Sequence, residues 1–167
     1  MRPSAVFARG AIIVALAVLA DQLIKAAIVA TIPLGDGVPV LPFLALYHTR
    51  NEGISFSLFS GMSVFGLSAV ALLVLVFVFW LWRKTPPTRW VSHFAFAIIV
   101  GGAVGNLIDR LRLGYVVDYI LFHTPVWSFA IFNLADTFIT VGAGLVILDE
   151  FILDHDRRTG AKEGPSS

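Results

Sequence analysis

The chain has 167 residues, of which 57% are hydrophobic and 14% charged, whereas soluble domains run at about 45–50% apolar and about 25% charged residues. This composition indicates a membrane protein, and the length predicts a single domain over residues 1–167. A net charge of +1 excludes the bulk positive field that holds a nucleic-acid backbone, and the absence of cysteine excludes disulfides and thiolate chemistry.

Four apolar stretches approach the roughly 20 residues that a helix needs to cross a hydrocarbon core. They predict membrane helices over about 11–30, 64–82, 94–111 and 128–148, so the expected fold class is an α-helical integral membrane protein with four transmembrane helices. The first stretch follows Arg2 and Arg9, as the core of a signal peptide would. Because its apolar pattern resumes after Asp21, we interpret it as a full span.

Lysine and arginine gather before the first span, between the second and third, and after the fourth. Cytoplasmic loops carry that excess, so both termini are predicted to be cytoplasmic and loops 31–63 and 112–127 to face outward. Within the first outer loop, the run 43–49 and a second apolar set at 54–59 predict a small extracytoplasmic β-sheet. The alternative is an irregular loop whose aromatic residues lie at the membrane interface. The tail, 160–167, is predicted to be disordered.

Ionisable residues inside the spans each require a partner or a role, because one at membrane depth costs at least about 2.5–3.5 kcal/mol. Asp21 and Lys25 lie at i and i+4 in the first span, which predicts a structural ion pair, with direct chemistry as the alternative. The third span ends in the polar residues Asn106, Asp109 and Arg110. Packing alone does not require these three together, so they are candidates for a functional site.

Asp118 and Asp136 are predicted to meet near the outer membrane surface, one from a loop and one from a helix. If the fourth helix begins near Ser128, Asp136 lies about 12 Å along it. Two close carboxylates in a low-dielectric site share a proton, so one can activate water as a base while the other acts as an acid on a peptide carbonyl. Candidates for holding substrate carbonyls or the carboxylates, with packing or counter-ion roles as the alternative, are Asn106, Arg110 and Asn133.

Competing chemistries fit the sequence less well. The histidines, His48, His93, His123 and His155, have no metal-ligand spacing, so no metal and no cofactor are expected. A serine–lysine dyad of Ser55 or Ser57 with Lys25 is disfavoured because Asp21 neutralises the lysine. The alternatives from other classes are a small proton-coupled transporter, with the acids as a proton relay, and a structural assembly protein. Since the polar side chains gather toward the outer side, the pattern favours a peptidase.

Four polar motifs, in this order, resemble those of the lipoprotein signal peptidase family, also called signal peptidase II, a family of membrane aspartic peptidases. They are Asp21-Gln22-x-x-Lys25, Asn51-x-Gly53-x-Ser55-Phe56-Ser57, Gly101-Gly102-Ala103-x-Gly105-Asn106-x-x-Asp109-Arg110-x-x-x-Gly114-x-Val116-x-Asp118-Tyr119, and Phe132-Asn133-x-Ala135-Asp136. The departures from the family's pattern are mild: Ser55 where alanine is common, Tyr119 where phenylalanine is usual, and Glu52 at a variable position.

The resemblance implies roles for these residues. Asp118 and Asp136 would be catalytic, Asp21 would hold the architecture together, and substrate binding or support of the site would fall to Asn51, Gly53, Asn106, Asp109, Arg110 and Asn133. The implied substrate is a bacterial prolipoprotein, cut just before a diacylglyceryl-cysteine, and globomycin-type cyclic peptides would block the site. The implied location is the bacterial cytoplasmic (inner) membrane, with the active site near its outer face. We expect a monomer in contact with membrane lipid and without a nucleic-acid partner.

Overall fold

The structure is a computed structural model that describes residues 3–53 and 64–160. The elements in chain order are α1 (Pro3–Thr31), β1 (Gly37–Leu41), β2 (Leu44–Asn51), α2 (Val64–Lys84), α3 (Trp90–Leu113), β3 (Val116–Thr124), β4 (Trp127–Ser128) and α4 (Leu134–Gly160). The predicted combination of membrane helices and a small β-sheet is confirmed, and the sheet is antiparallel. The apolar set at 54–59 and the tail after residue 160 lie outside the described residues.

Three helices in the described part of the chain are long and apolar enough to cross a membrane, and they cover Ala5–Thr31, Phe65–Lys84 and Trp90–Leu113. Helix α4 is not among them, since Asp136 lies in its first turn and Asp149 and Glu150 interrupt its apolar stretch further along. Helix α3 is the most buried of the three and packs against α1, α2 and α4. It is therefore the central element of the fold.

Glycines on α3 allow the neighbouring helices to come close. A Cβ added at Gly101 would lie 2.6 Å from the Cβ of Ala17 on α1, and one added at Gly102 would lie 2.4 Å from the backbone oxygen of Ala135 on α4. Only a residue without a side chain fits at such separations, as in other closely packed membrane helices. The two glycines thus bring α1 and α4 against α3 at the height of the polar residues.

The four strands form an antiparallel sheet in the order β1-β2-β3-β4. Strand β2 pairs with β3 so that Thr49 lies opposite Asp118 and Asn51 opposite Val116. On β3, Val117 and Tyr119 are buried against Ile28 and Ile32 at the end of α1. The sheet is thereby docked on the helices, and the predicted loop 112–127 supplies its strands β3 and β4.

The fourth helix begins at Leu134, so the predicted start near Ser128 was wrong. Trp127 and Ser128 pair with β3, and the backbone of Phe132 exchanges hydrogen bonds with that of Ile120. Because the backbone groups in this segment find partners on β3, the chain continues as an extension of the sheet before turning into α4. Asp136 consequently lies in the first turn of α4.

Candidate active site

Asp118 and Asp136 converge on Asn133, the residue directly before α4. The side-chain amide of Asn133 donates to Oδ1 of Asp118 at 2.6 Å, and its backbone N–H donates to Oδ2 of Asp136 at 3.3 Å. In return, Oδ1 of Asn133 accepts a hydrogen bond from the backbone N–H of Asp136 at 2.9 Å. This reciprocal pattern is that of a capping box, so the start of α4 itself holds the second carboxylate in place.

Asn51 holds the other oxygen of Asp118. Its Nδ2 donates to Oδ2 of Asp118 at 2.8 Å from the end of β2, the strand paired with β3. Its own Oδ1 accepts a hydrogen bond from the backbone N–H of Gly53 at 2.9 Å. Gly53 has a φ of +99°, a conformation that favours glycine. Gly53 therefore orients the amide of Asn51 without contacting either carboxylate.

Asn106 of α3 connects Asp136 to the first helix. Its Nδ2 donates to Oδ1 of Asp136 at 2.7 Å, and its Oδ1 accepts hydrogen bonds from Lys25 Nζ at 2.9 Å and from Asn133 Nδ2 at 3.2 Å. Both oxygens of Asp136 are thus occupied by protein donors, one from α3 and one from the cap of α4.

Lys25 is buried between two carboxylates. Its Nζ lies 2.9 Å from Oδ2 of Asp21 and 2.8 Å from Oδ2 of Asp109. Oδ1 of Asp21 accepts the backbone N–H of Ala135 at 3.1 Å, and Oδ2 of Asp109 accepts that of Val117 at 3.2 Å. The predicted pair of Asp21 and Lys25 is therefore part of a larger ionic cluster that joins α1, α3, β3 and α4.

Gln22 also belongs to this cluster, a role that was not predicted from the sequence. Its Nε2 donates to Oδ1 of Asp109 at 2.8 Å and to the backbone oxygen of Gly105 at 3.2 Å. The signal that would have identified Gln22 is an amide at membrane depth directly beside Asp21, since a polar group in a span needs a partner just as a charge does.

Arg110 is half-buried near the carboxylates and is not bonded to them. Among the side chains of residues 5–53 and 65–152, no carboxylate forms an ion pair with its guanidinium, which interacts with the charges of Asp136, Asp118 and Asp109 over a longer range. In the described part of the chain, Arg110 thus differs from the other predicted site residues, which bond within the cluster.

The environment of Asp118 changes its acidity. The pKa of this carboxyl is raised from 3.8 to about 6, mainly by burial and also by the charge of Asp136, although the amides of Asn51 and Asn133 favour the ionised form and so lower it. A carboxyl with such a pKa exchanges protons close to neutral pH, which is the property that a general acid or base requires.

An open cavity of about 350 Å³ gives access to Asp118. It is lined by the end of β2 and the residue after it, by one residue of β3 and by the segment before α4, namely Thr49, Arg50, Asn51, Glu52, Asp118, Ala130 and Ile131. The guanidinium of Arg50 lies 4.6 Å from the centre of the Tyr115 ring, which places this cation at one wall. The cavity combines a buried carboxylate with a few polar side chains, the kind of groups that fix the orientation of a ligand in a binding site.

Two histidines, His48 and His93, have structural partners. Nδ1 of His48 donates to the backbone oxygen of Ile32 at 2.8 Å, and the ring of His93 bonds Trp82 and the backbone oxygen of Pro86. No group of three or more histidine, aspartate or glutamate side chains in the described residues is arranged to hold a metal ion.

Comparison with known proteins gives consistent matches over most of the chain. The family model described as "Signal peptidase (SPase) II" matches residues 13–152. The lipoprotein signal peptidase of Sinorhizobium fredii is 54% identical over 142 residues, which are 85% of this chain and 86% of the relative. That of Brucella ovis is 54% identical over 140 residues, or 84% and 88% of the two chains.

Two solved structures have the same fold, and both are described as bacterial membrane enzymes. The first, at 1.9 Å resolution, has a TM-score of 0.76 and 30% identity and covers 84% of this chain and 91% of its own. The second, at 2.3 Å resolution, has a TM-score of 0.79 and 28% identity and covers 96% and 95%.

Fold, site and comparisons together define a membrane-embedded aspartic peptidase. The chain belongs to the signal peptidase II family, whose members remove signal peptides from prolipoproteins. The resemblance drawn from the four motifs is confirmed, and so is the prediction of a membrane hydrolase.

Proposed function

We propose that Asp118 and Asp136 form the catalytic dyad that cleaves the signal peptide of a lipid-modified prolipoprotein, directly before its diacylglyceryl-cysteine. The observation that supports this most strongly is their common attachment to Asn133, which bonds one carboxylate through its side chain and the other through its backbone. Two acids held on one residue share a local field, so a single proton can be divided between them.

The proposed reaction needs one ionised and one protonated carboxyl. The ionised carboxyl removes a proton from water while the water oxygen attacks the peptide carbonyl carbon. The protonated carboxyl donates a hydrogen bond to the developing oxyanion. When the tetrahedral intermediate collapses, the carbon–nitrogen bond breaks and the proton taken from water goes to the leaving amine. The products are a signal peptide with a new carboxylate and a polypeptide that begins with the lipid-modified cysteine, and no metal or cofactor takes part.

The surrounding residues are proposed to position the substrate and the dyad. Asn51, Asn106 and Asn133 hold the carboxylates, and Gly53 orients Asn51. Arg110, which lacks an ion-pair partner among the described residues, is proposed to donate to substrate carbonyls. Asp109 is proposed to stabilise the site through its ion pair with Lys25 and the hydrogen bond that it accepts from the backbone N–H of Val117. Cyclic peptides of the globomycin type are expected to bind in the cavity that opens onto Asp118.

The proposed membrane arrangement has four spans, with α4 as the fourth and both termini in the cytoplasm of a bacterial cell. The basic last turn of α2, with Arg83 and Lys84, supports this orientation, because cytoplasmic loops carry the excess of such residues. The sheet and Asp118 then lie at the outer face of the cytoplasmic membrane, where a lipid-anchored substrate presents its cleavage site. We propose that the enzyme acts as a monomer.

The test is cleavage of a purified diacylglyceryl prolipoprotein in detergent by Asp118→Asn and Asp136→Asn variants. Each is expected to lose activity by at least about 10³-fold, since removing a member of a catalytic set has effects of this size. The matched control is Asp36→Asn, because Asp36 is exposed on the loop before β1 and does not line the cavity. Wild-type activity in either dyad variant, with unfolding unchanged, would refute the assignment.

A further inference from the structure

Helices α1 and α2 both pack against α3 and make few contacts with one another. A cavity of about 570 Å³ separates them near the end of α2 that carries Arg83 and Lys84. Its wall is apolar except for one guanidinium, and the lining residues are Phe7, Ala11, Val14, Ala15, Phe79, Trp82, Arg83 and Val100. This cavity is distinct from the one that opens onto Asp118, with which it shares no lining residue.

The cavity wall is preformed because Trp82 is fixed in place. Its indole N–H donates to Nδ1 of His93 at 2.8 Å, and its ring packs against that of Phe7 with centroids 5.8 Å apart. On the α1 side, a Cβ added at Gly10 would lie 2.4 Å from Cζ2 of Trp82, so the helix backbone rests directly on the ring. The tryptophan therefore has no room to rotate and close the cavity.

Arg83 and Lys84 differ in their surroundings although they are neighbours in the last turn of α2. The ammonium group of Lys84 lies 3.8 Å from the centre of the Trp80 ring, so its charge already has a partner. Arg83 lines the cavity, and among the side chains that the structure describes, those of residues 5–53 and 65–152, none forms an ion pair with it. The cavity thus offers an apolar interior with one unpaired cation at the end of a membrane span.

We propose that this cavity binds an anionic phospholipid, with an acyl chain between α1 and α2 and the headgroup phosphate on Arg83. Basic pockets between membrane helices are typical sites for anionic headgroups, and each basic residue near the surface contributes about 1 kcal/mol to such binding. The apolar lining requires a ligand that carries a hydrocarbon chain, which favours a lipid over a free anion. The proposal does not depend on the chemistry assigned to Asp118 and Asp136.

Native mass spectrometry of the full chain tests the proposal, with phosphatidylglycerol and phosphatidylcholine of identical acyl chains as probes. We expect phosphatidylglycerol to be retained in preference to phosphatidylcholine, and Arg83→Gln to weaken its binding about fivefold. Lys84→Gln is the matched control, since it removes the same charge from the same turn without touching the cavity, and should leave binding unchanged.

A second pair of variants tests the acyl-chain part of the site. Ala15→Leu places a larger side chain in the cavity and should reduce retention of phosphatidylglycerol, whereas Ala27→Leu, on an exposed position of the same helix outside the cavity lining, should not. Thermal unfolding of each variant without added lipid verifies that the fold is intact.

Four results would overturn the proposal. They are equal retention of the two lipids, equal weakening by Arg83→Gln and Lys84→Gln, binding of glycerol phosphate as tight as that of the intact lipid, and a dimer mass that Ala15→Leu abolishes. The second would indicate general surface charge, the third a simple anion site, and the fourth a contact with a second copy of the chain.

Discussion

Asn133 and Asp136 cap the same helix by bonding each other's backbone: Asn133 Oδ1 accepts from the N–H of Asp136 at 2.9 Å, and Asp136 Oδ2 accepts from the N–H of Asn133 at 3.3 Å. A carboxylate in the first turn of a helix is also stabilised by the positive end of the helix dipole. The two capping hydrogen bonds at the start of α4 therefore also position the proposed catalytic Asp136. The side-chain amide of Asn133 in addition donates to Asp118.

The two roles of Asn133 can be separated by substitution. Asn133→Ala removes both the cap and the donor to Asp118, so we expect a loss of about 0.5–2 kcal/mol in stability. The same change should lower kcat about 10- to 100-fold, the equivalent of a hydrogen bond to a charged group. Asn133→Ser retains a capping oxygen but does not reach Asp118, so stability should recover while kcat stays low. Thermal unfolding and cleavage kinetics measure the two effects.

The control for these variants is Thr137→Ala. Thr137 lies in the same turn and donates only to the backbone oxygen of Asn133 through its hydroxyl group. If Thr137→Ala lowered kcat as much as Asn133→Ala, or if Asn133→Ser restored it, the effect on activity would come from the cap and not from the amide on Asp118.

The pH dependence of kcat/KM is expected to show the acidity of the dyad. Since burial raises the pKa of Asp118 to about 6, kcat/KM should fall as the pH rises through an apparent pKa near that value and the shared proton is lost. Asn51 donates to the ionised carboxylate and so lowers its pKa. Asn51→Leu should therefore move this descending limb of the kcat/KM profile to higher pH.

Thr49→Val is the matched variant for the pH profile, because Thr49 lies opposite Asp118 on the paired strand and lines the same cavity. It is expected to leave the limb where it is. A limb near pH 4 in the native enzyme, or one that Asn51→Leu does not move, would contradict the assignment of the pKa to Asp118.

The ionic cluster around Lys25 predicts an order of stabilities. Asp21→Asn leaves Lys25 paired with Asp109, so it should cost about 1.5–3 kcal/mol, the equivalent of hydrogen bonds to a charged group. Lys25→Met leaves two buried carboxylates facing each other and should cost more, about 3–5 kcal/mol. Unfolding in detergent measures both, and equal costs would show that Asp109 does not share the lysine.

The contact between α3 and α4 is expected to control the geometry of the site. Gly102→Ala places a Cβ against the backbone oxygen of Ala135, next to Asp136, so it should destabilise the fold by about 1–3 kcal/mol and reduce the cleavage rate. Gly144→Ala is the control, because a Cβ there meets nothing within 4 Å. It should stabilise α4 by about 0.5–1 kcal/mol and leave the rate unchanged.

The sequence was most informative where a polar residue interrupts an apolar span. Burying Asp21, Lys25 or Asp109 in lipid costs so much that each must have a partner, and this reasoning selected residues that the structure brings into one cluster. It did not reveal that Lys25 serves both acids or that Gln22 joins them, because a helical sequence shows which face a residue occupies and not which helix lies opposite.

The start of α4 was the boundary that the sequence placed wrongly. Hydrophobicity continues from Ser128 into the helix, so a membrane span and a strand look alike over this stretch. This stretch is extended and not helical because the backbone groups of β3 pair with those of Ser128 and Phe132.

By itself, the sequence determined that this is a membrane protein, where three apolar helices lie and which polar residues had to find partners, because each of these follows from the cost of placing residues in hydrocarbon. Only the tertiary structure decided that Asn133 bonds both Asp118 and Asp136 and that Asn51 donates to the other carboxylate oxygen of Asp118. These contacts link β2, β3 and α4, and their geometry depends on how the strands pair and how closely glycines let the helices approach, which local residue patterns do not encode.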